Sequence, residues 1–174
     1  KEIKETEPDE TLWPLIEKTI HEAIVKFDAF RAKEGALTQA EILSFIGKIE
    51  EVLASVIEVK DERLIKIKSG IREKLDELIK EGRLDENRFE NEMIYYIEKL
   101  DISEEILRLQ SHIALFYTSI EEENPAKKLG FISQEMGREI NTIASKANDA
   151  TIQRYAVLMK DELEKIKEQL ANIL

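Results

Sequence analysis

From Ile20 the apolar positions run Ile20, Ile24 and Phe27, then, after a gap, Ile42, Ile46, Ile49, Leu53 and Val56, at spacings of three and four. That is the period of an amphipathic helix, and Pro14 is compatible with its first turn. Carried through the gap, the rhythm lands on Arg31, Glu34, Gly35 and Thr38. Two helices meeting at Gly35 fit this pattern, and so does one long helix with a polar interruption in its seam. A second helix is predicted over roughly Asp61 to Lys80, with Leu64, Ile67 or Lys68, Ile71, Leu75 and Leu78 inside and Gly82 as a C-cap. The next segment, Asp85 to Leu100, places Phe89, Met93, Tyr96 and Ile97 on one face.

Asp101 and Glu104 have the spacing of a capping box ahead of Ile106, Leu107 and Leu109. The helix they open should end near Glu121 to Glu123. Asn124 and Pro125 read as N-cap and first residue of another helix, with the stripe Ile132, Met136, Ile140, Ile143 and Ala147. Ile152, Ala156, Met159, Leu163, Ile166, Leu170 and Ile173 then alternate four and three, the seam of a coiled coil. The predicted fold is all-α, built of long antiparallel helical hairpins with coiled-coil-like packing in an oligomer. Residues 1–10 are predicted to be a charged linker, and residues 11–174 a single helical domain, the C-terminal part of a longer protein.

Composition narrows the chemistry. The 174 residues are 43% hydrophobic, which argues against intrinsic disorder. No run of about 18 uncharged apolar residues is present to cross a bilayer, so no membrane partner is expected. Six glycines and three prolines leave little turn chemistry for strands. The absence of cysteine removes disulfides, thiolate metal sites and cysteine nucleophiles together. A net charge of −11 argues at first against nucleic acid, whose phosphates attract Lys and Arg. The charge is segregated, however. Residues 84–124 carry three basic against eleven acidic side chains, and residues 125–160 carry six against three.

Two polar stripes stand out on helices. Asp101, Glu105, Arg108 and His112 share one face at spacings of four, three and four. Gln134, Arg138, Asn141 and Ser145 repeat that spacing, with Glu135, Glu139, Thr142 and Lys146 as the adjacent row. A wet outer face laced with ion pairs explains such stripes blandly. Yet a merely solvated helix carries Glu and Lys, whereas this one carries Asn, Thr and Ser, which hydrogen-bond more specifically. With only His21 and His112 and no glycine-rich phosphate loop, triads and nucleotide cofactors are disfavoured. What remains coherent is Glu105, His112, Glu135 and Glu139 around a divalent cation, Mg²⁺ or Mn²⁺, with Arg108 and Arg138 holding phosphate.

The run from Glu90 to His112, ENEMIYYIEKLDISEEILRLQSH, and the run from Leu129 to Asn148, LGFISQEMGREINTIASKAN, closely resemble the YicC-like family of bacterial proteins. The segments from Phe30 to Gly35 and from Leu163 to Ile173 are similar to that family's upstream and terminal motifs. The resemblance implies a metal-dependent endoribonuclease that works on RNA in the bacterial cytoplasm as a homo-oligomer, a hexamer, with a further N-terminal domain. Matching positions are Arg31, Glu34, Gly35, Glu92, Asp101, Glu105, Arg108, His112, Gln134, Glu135, Arg138, Glu139, Asn141, Thr142, Ser145 and Lys146.

From these, Glu105, His112, Glu135 and Glu139 are the candidate metal ligands or water activators. Arg31, Arg108, Arg138 and Lys146 are expected on the RNA phosphate. Glu34, Glu92, Gln134, Asn141, Thr142 and Ser145 support them. Two positions depart from the family pattern: Gly130 stands where an acid is usual and Gly137 where asparagine is frequent. Two other readings remain open. One is a non-catalytic oligomerisation module built on the heptads from Ile152 to Ile173. The other is RNA binding without cutting, on the basic residues of 60–83 and 125–160.

Overall fold

The first apolar rhythm becomes one helix, α1 (Leu12–Lys80), which runs through Gly35 without interruption. A helical glycine costs roughly 1 kcal/mol relative to alanine, and the strong helix formers Ala32, Ala36 and Leu37 flank it. The separate helix expected from Asp61 is a continuation of α1, because no glycine or proline interrupts residues 48–69. After it come α2 (Glu86–Leu100), α3 (Ser103–Ser119), α4 (Ala126–Ala147) and α5 (Ala150–Asn172). This computed structural model describes the backbone of residues 12–80 and 86–172, and the side chains of residues 12–73 and 93–172. Among the described residues there is no strand. The predictions for residues 1–10, Leu75, Leu78, Gly82, Phe89, Glu92 and Ile173 lie outside the described backbone or side chains.

The chain divides into two units, residues 1–40 and 41–174. In the first, Ile20, Ile24 and Phe27 hold the helical period but remain more than half exposed, at 52%, 53% and 59%. In the second, Ile42, Ile46, Ile49, Leu53 and Val56 continue the same period and are buried to 1% or less. They share one core with the apolar rows of α3, α4 and α5, among them Leu109, Phe116, Met136, Ile140 and Met159.

Side-chain contacts fix the arrangement of this second unit. Tyr117 Oη donates to Glu50 at 3.2 Å and Lys60 Nζ meets Ser103 Oγ at 3.5 Å, so α3 descends as α1 rises. Gln169 Nε2 donates to Glu41 at 3.0 Å and Lys48 lies 3.8 Å from Glu162, giving α5 the same sense. Lys146 with Glu105, and Arg108 with Glu139, run α4 antiparallel to α3. In order around the core, α1, α3, α4 and α5 therefore form a four-helix ring whose neighbours are all antiparallel, with α2 packed beside α4. The heptads of α5 close inside this ring. Ile152, Ala156, Met159, Leu163, Ile166 and Leu170 are at most 7% exposed, so the described part of that seam is filled by the chain's own ring.

The caps differ from their predicted form. Asp101 Oδ1 accepts from the Ser103 amide at 2.9 Å, but Glu104 does not return a bond to the Asp101 amide, which donates to Glu98 O. Glu104 is drawn away by Arg108, one turn along α3. The helix after Pro125 begins one residue later than expected, with Pro125 in the cap position and Asn124 at φ 55° turning the chain. Asp149 caps α5, its Oδ1 accepting from the amides of Thr151 and Ile152. Asn148 before it adopts the left-handed conformation that ends α4.

Candidate functional site

The two polar stripes meet. On α3, Glu105 is one place along the helix from the core residue Ile106 and is only 4% exposed. Its Oε1 accepts from Lys146 Nζ, in the last turn of α4, at 2.6 Å. Its Oε2 is buried without a hydrogen-bond partner among the described residues. One turn on, Arg108 reaches from Glu104 toward Glu139, whose carboxylate is 4.0 Å from its guanidinium. Glu139 is itself buried to 9% exposure. The next turn of α3 carries His112, half-buried, and the preceding turn of α4 carries Glu135, which accepts from Arg138 at 2.6 Å.

Of the two rows on α4, it is the one carrying Glu139 and Lys146 that meets α3, and Glu135 and Thr142 on that row are half-buried. Gln134, Arg138, Asn141 and Ser145 stand in solvent. Thr142 and Ser145 turn their hydroxyls back onto the helix, to Arg138 O and Thr142 O, each at 3.0 Å. The face as a whole sorts into a buried layer, Glu105 with Lys146 and Glu139, and an outer layer. In the outer layer Arg108, Arg138 and Glu135 have side chains 57%, 72% and 41% exposed. Asp101, at the start of the α3 stripe, is explained by its cap. Burial pushes its pKa up, but the hydrogen bonds from Ser103 and the nearby Lys60 outweigh this and leave it lowered.

The four expected metal donors do not close into a ligand set. Among the described residues no three His, Asp or Glu side chains are placed to hold a cation together. Glu105 is engaged by Lys146 and Glu135 by Arg138, so within one chain these side chains fit ion pairing better than ligation. Arg31 and Glu34 belong to the first unit, where Arg31 stacks over the Phe27 ring at 5.9 Å from its centroid. At Gly130 a Cβ would meet nothing within 4 Å, and at Gly137 it would meet Leu163 Cδ2 at 3.4 Å, ordinary contact. Neither glycine relieves a clash.

The sequence reading missed the polar end of the ring. Arg63 is 4% exposed and donates from Nη2 to Leu100 O at the end of α2, 2.5 Å away. Its Nε and Nη1 are buried with no hydrogen-bond partner among the described residues. Burial depresses its pKa, against the opposing pull of Asp149 and Asp101. The signal was present: the core row Ile42, Ile46, Ile49, Leu53, Val56 continues by four and three to Lys60 and Arg63. Leu64, Ile67 and Ile71, expected inside, are half-buried beside that row.

A sequence profile described as "Endoribonuclease YicC-like, C-terminal" matches residues 56–174, which includes all of α2, α3, α4 and α5. The chain belongs to the YicC-like family. A protein of Clostridioides difficile (strain 630) named "Probable endoribonuclease YicC" is 37% identical over 180 residues, covering 98% of this chain and 59% of that protein. A protein of Haemophilus influenzae with the same name is 41% identical over 92 residues, covering 52% of this chain and 32% of that protein. This YicC-like chain thus spans less than two thirds of the curated relatives it matches. Among its described residues no helix is long and apolar enough to cross a membrane.

Proposed function

We propose that this chain is the helical portion of an endoribonuclease that cleaves RNA phosphodiester bonds on the face formed by α3 and α4. The observation that carries the reading is the match to proteins named probable endoribonucleases across the two helices whose polar stripes converge. In-line cleavage of RNA needs neutralisation of the phosphate oxygens and proton transfer at the attacking and leaving oxygens. Arg108 and Arg138 supply exposed guanidinium groups for the first task. Glu135 and His112, each one turn beyond the Arg108–Glu139 pair on its own helix, are assigned to the second. Glu105 and Lys146 lie beneath that surface as a positioning pair, and Glu139 holds Arg108 from the side. Residues 125–160 add six basic side chains against three acidic ones, which favours the approach of a polyanion from the α4 side.

The test is cleavage of a labelled single-stranded RNA by the full-length protein, with Mg²⁺, with Mn²⁺ and with EDTA. Glu135→Gln and Arg138→Ala are each expected to lower the rate about 100-fold or more, in the range of a lost acid, base or charge-stabilising group. Unchanged rates in both variants would remove the α3/α4 face from the chemistry. No cleavage by the parent under any condition would remove the function. The EDTA arm decides the cation requirement, because the donors within one chain do not themselves make a cage for it.

A further inference from the structure

Phe131 is out of place on α4. The apolar row beside it, Leu129, Ile132, Met136 and Ile140, is buried, whereas Phe131 is 59% exposed. Among the described residues of α3, α4 and α5 it is the one exposed Phe, Tyr or Trp. Helical spacing sets Gln134, Glu135 and Arg138, three, four and seven places on, on the same side of α4 as Phe131, with Arg138 about 10 Å further along the axis. Gln134 and Arg138 are exposed and Glu135 is half-buried. Lys127, one turn before Phe131, is exposed as well. The ring therefore lies between two cations on one helix face, and Glu122, from the turn ahead of α4, is taken up by Lys128. Because Arg108 faces Glu139, the antiparallel run of α3 brings Leu115, 44% exposed, to the level of Phe131 and Ile132.

We propose that Phe131 is the stacking platform for one nucleobase of the bound RNA, beside the bond that is cut, with Gln134 at the edge of that base. An exposed ring offers a π-face that accepts any base. The Gln134 carboxamide both donates and accepts hydrogen bonds, and ring and amide together are how unpaired RNA bases are held. Lys127 and Arg138, before and after the ring along α4, meet phosphates on either side of the stacked nucleotide. Leu115 gives the base a second apolar edge from α3. The platform is continuous with the proposed cleavage face, because Glu135 and Arg138 belong to both. The proposal rests on the RNA-cleaving reading above and adds to it the group that holds a base, where Arg108 and Arg138 hold only phosphate.

The full-length protein is titrated with a fluorescent 2′-O-methyl RNA oligomer, which resists cleavage, and with copies made abasic at one nucleotide at a time. Phe131→Ala is expected to weaken the Kd for the intact oligomer about 10-fold or more, the size of one lost base stack. Phe131→Tyr, which keeps the ring, should stay within about 3-fold of the parent, and Gln134→Ala should fall between the two. At one position the abasic oligomer should bind the parent as weakly as the intact one binds Phe131→Ala, and should bind that variant no more weakly still. A merely structural role for the ring predicts no such cancellation. Phe131→Ala with the parent's Kd, or equal losses for parent and variant at every abasic position, would overturn the proposal. So would a Phe131→Ala protein with a changed mass in light scattering or a melting temperature lowered by more than about 4 °C, because protein would then cover the ring. An unchanged Kd in Phe131→Ala beside impaired cleavage in Arg138→Ala removes the platform alone and leaves the cleavage face standing.

Discussion

Two stretches of the same helix carry the same pattern and meet opposite fates. Residues 20–27 and residues 42–56 of α1 both place isoleucine and its relatives at spacings of three and four. The first group is more than half exposed and the second is sealed. Periodicity states which face of a helix is apolar; it does not state what covers that face. Cover for the second stretch comes from α3 and α5, which the chain brings back beside it. The first has no such cover within its own unit.

The largest effect expected from breaking this contrast is in the sealed stretch. Ile49→Ala should lower unfolding free energy by about 2–5 kcal/mol, the range for truncating a buried isoleucine. Ile20→Ala, at low protein concentration, should change it by less than about 0.5 kcal/mol. Urea unfolding of both variants checks the pair, and equal losses would mean that residues 12–37 are packed as tightly as the ring. Next comes the buried layer of the α3/α4 face. Lys146→Ala strands the Glu105 carboxylate and should cost about 2 kcal/mol, and adding Glu105→Gln should recover part of it. A double variant less stable than Lys146→Ala would show that the pair does not act as a unit.

The smallest effect concerns Asp101, whose pKa is lowered in the folded chain. A lowered carboxyl contributes stability above its unfolded pKa and loses it as pH falls through the folded value. Asp101→Asn keeps an oxygen for the Ser103 amide and loses only the charge near Lys60, so on this exposed side chain it should cost about 0.3 kcal/mol or less at pH 7. Against the parent it should cost almost nothing near pH 2. Matched urea titrations at the two pH values test this, and a difference that grows on acidification would contradict it.

Much of the fold was legible because its periods are long. The described apolar rows of α4 and α5 are buried as read, while Leu107 on α3 is exposed. The break expected at Asp61 was illegible for a physical reason. A change from apolar to charged residues on the core row looks like the end of a helix, whereas Lys60 and Arg63 stay on that row and bond across to Ser103 and Leu100. The capping box failed because Glu104 had two possible partners, and only tertiary placement of Arg108 beside Glu139 shows which one it takes. Sequence spacing puts Glu105 and Glu135 on equivalent stripes, but tertiary packing buries the first and leaves the second half-exposed, a difference that spacing on a single helix does not contain.

The ring order also sets a timetable. The bonds between α3 and α4 close loops of about forty residues, while Gln169 reaches back 128 residues to Glu41 to join α5 to α1. Loop closure of that length makes the α5 seal on α1 the late event, because α1 meets α2 and α3 through Arg63 and Lys60 over only 37 and 43 residues. During synthesis residues 42–56 pack on α3 before α5 is made, and one side of their row stays open until it arrives. Pulse-labelled hydrogen exchange should find α1 and α3 protected together, and protection of residues 42–56 only with α5 would contradict this order.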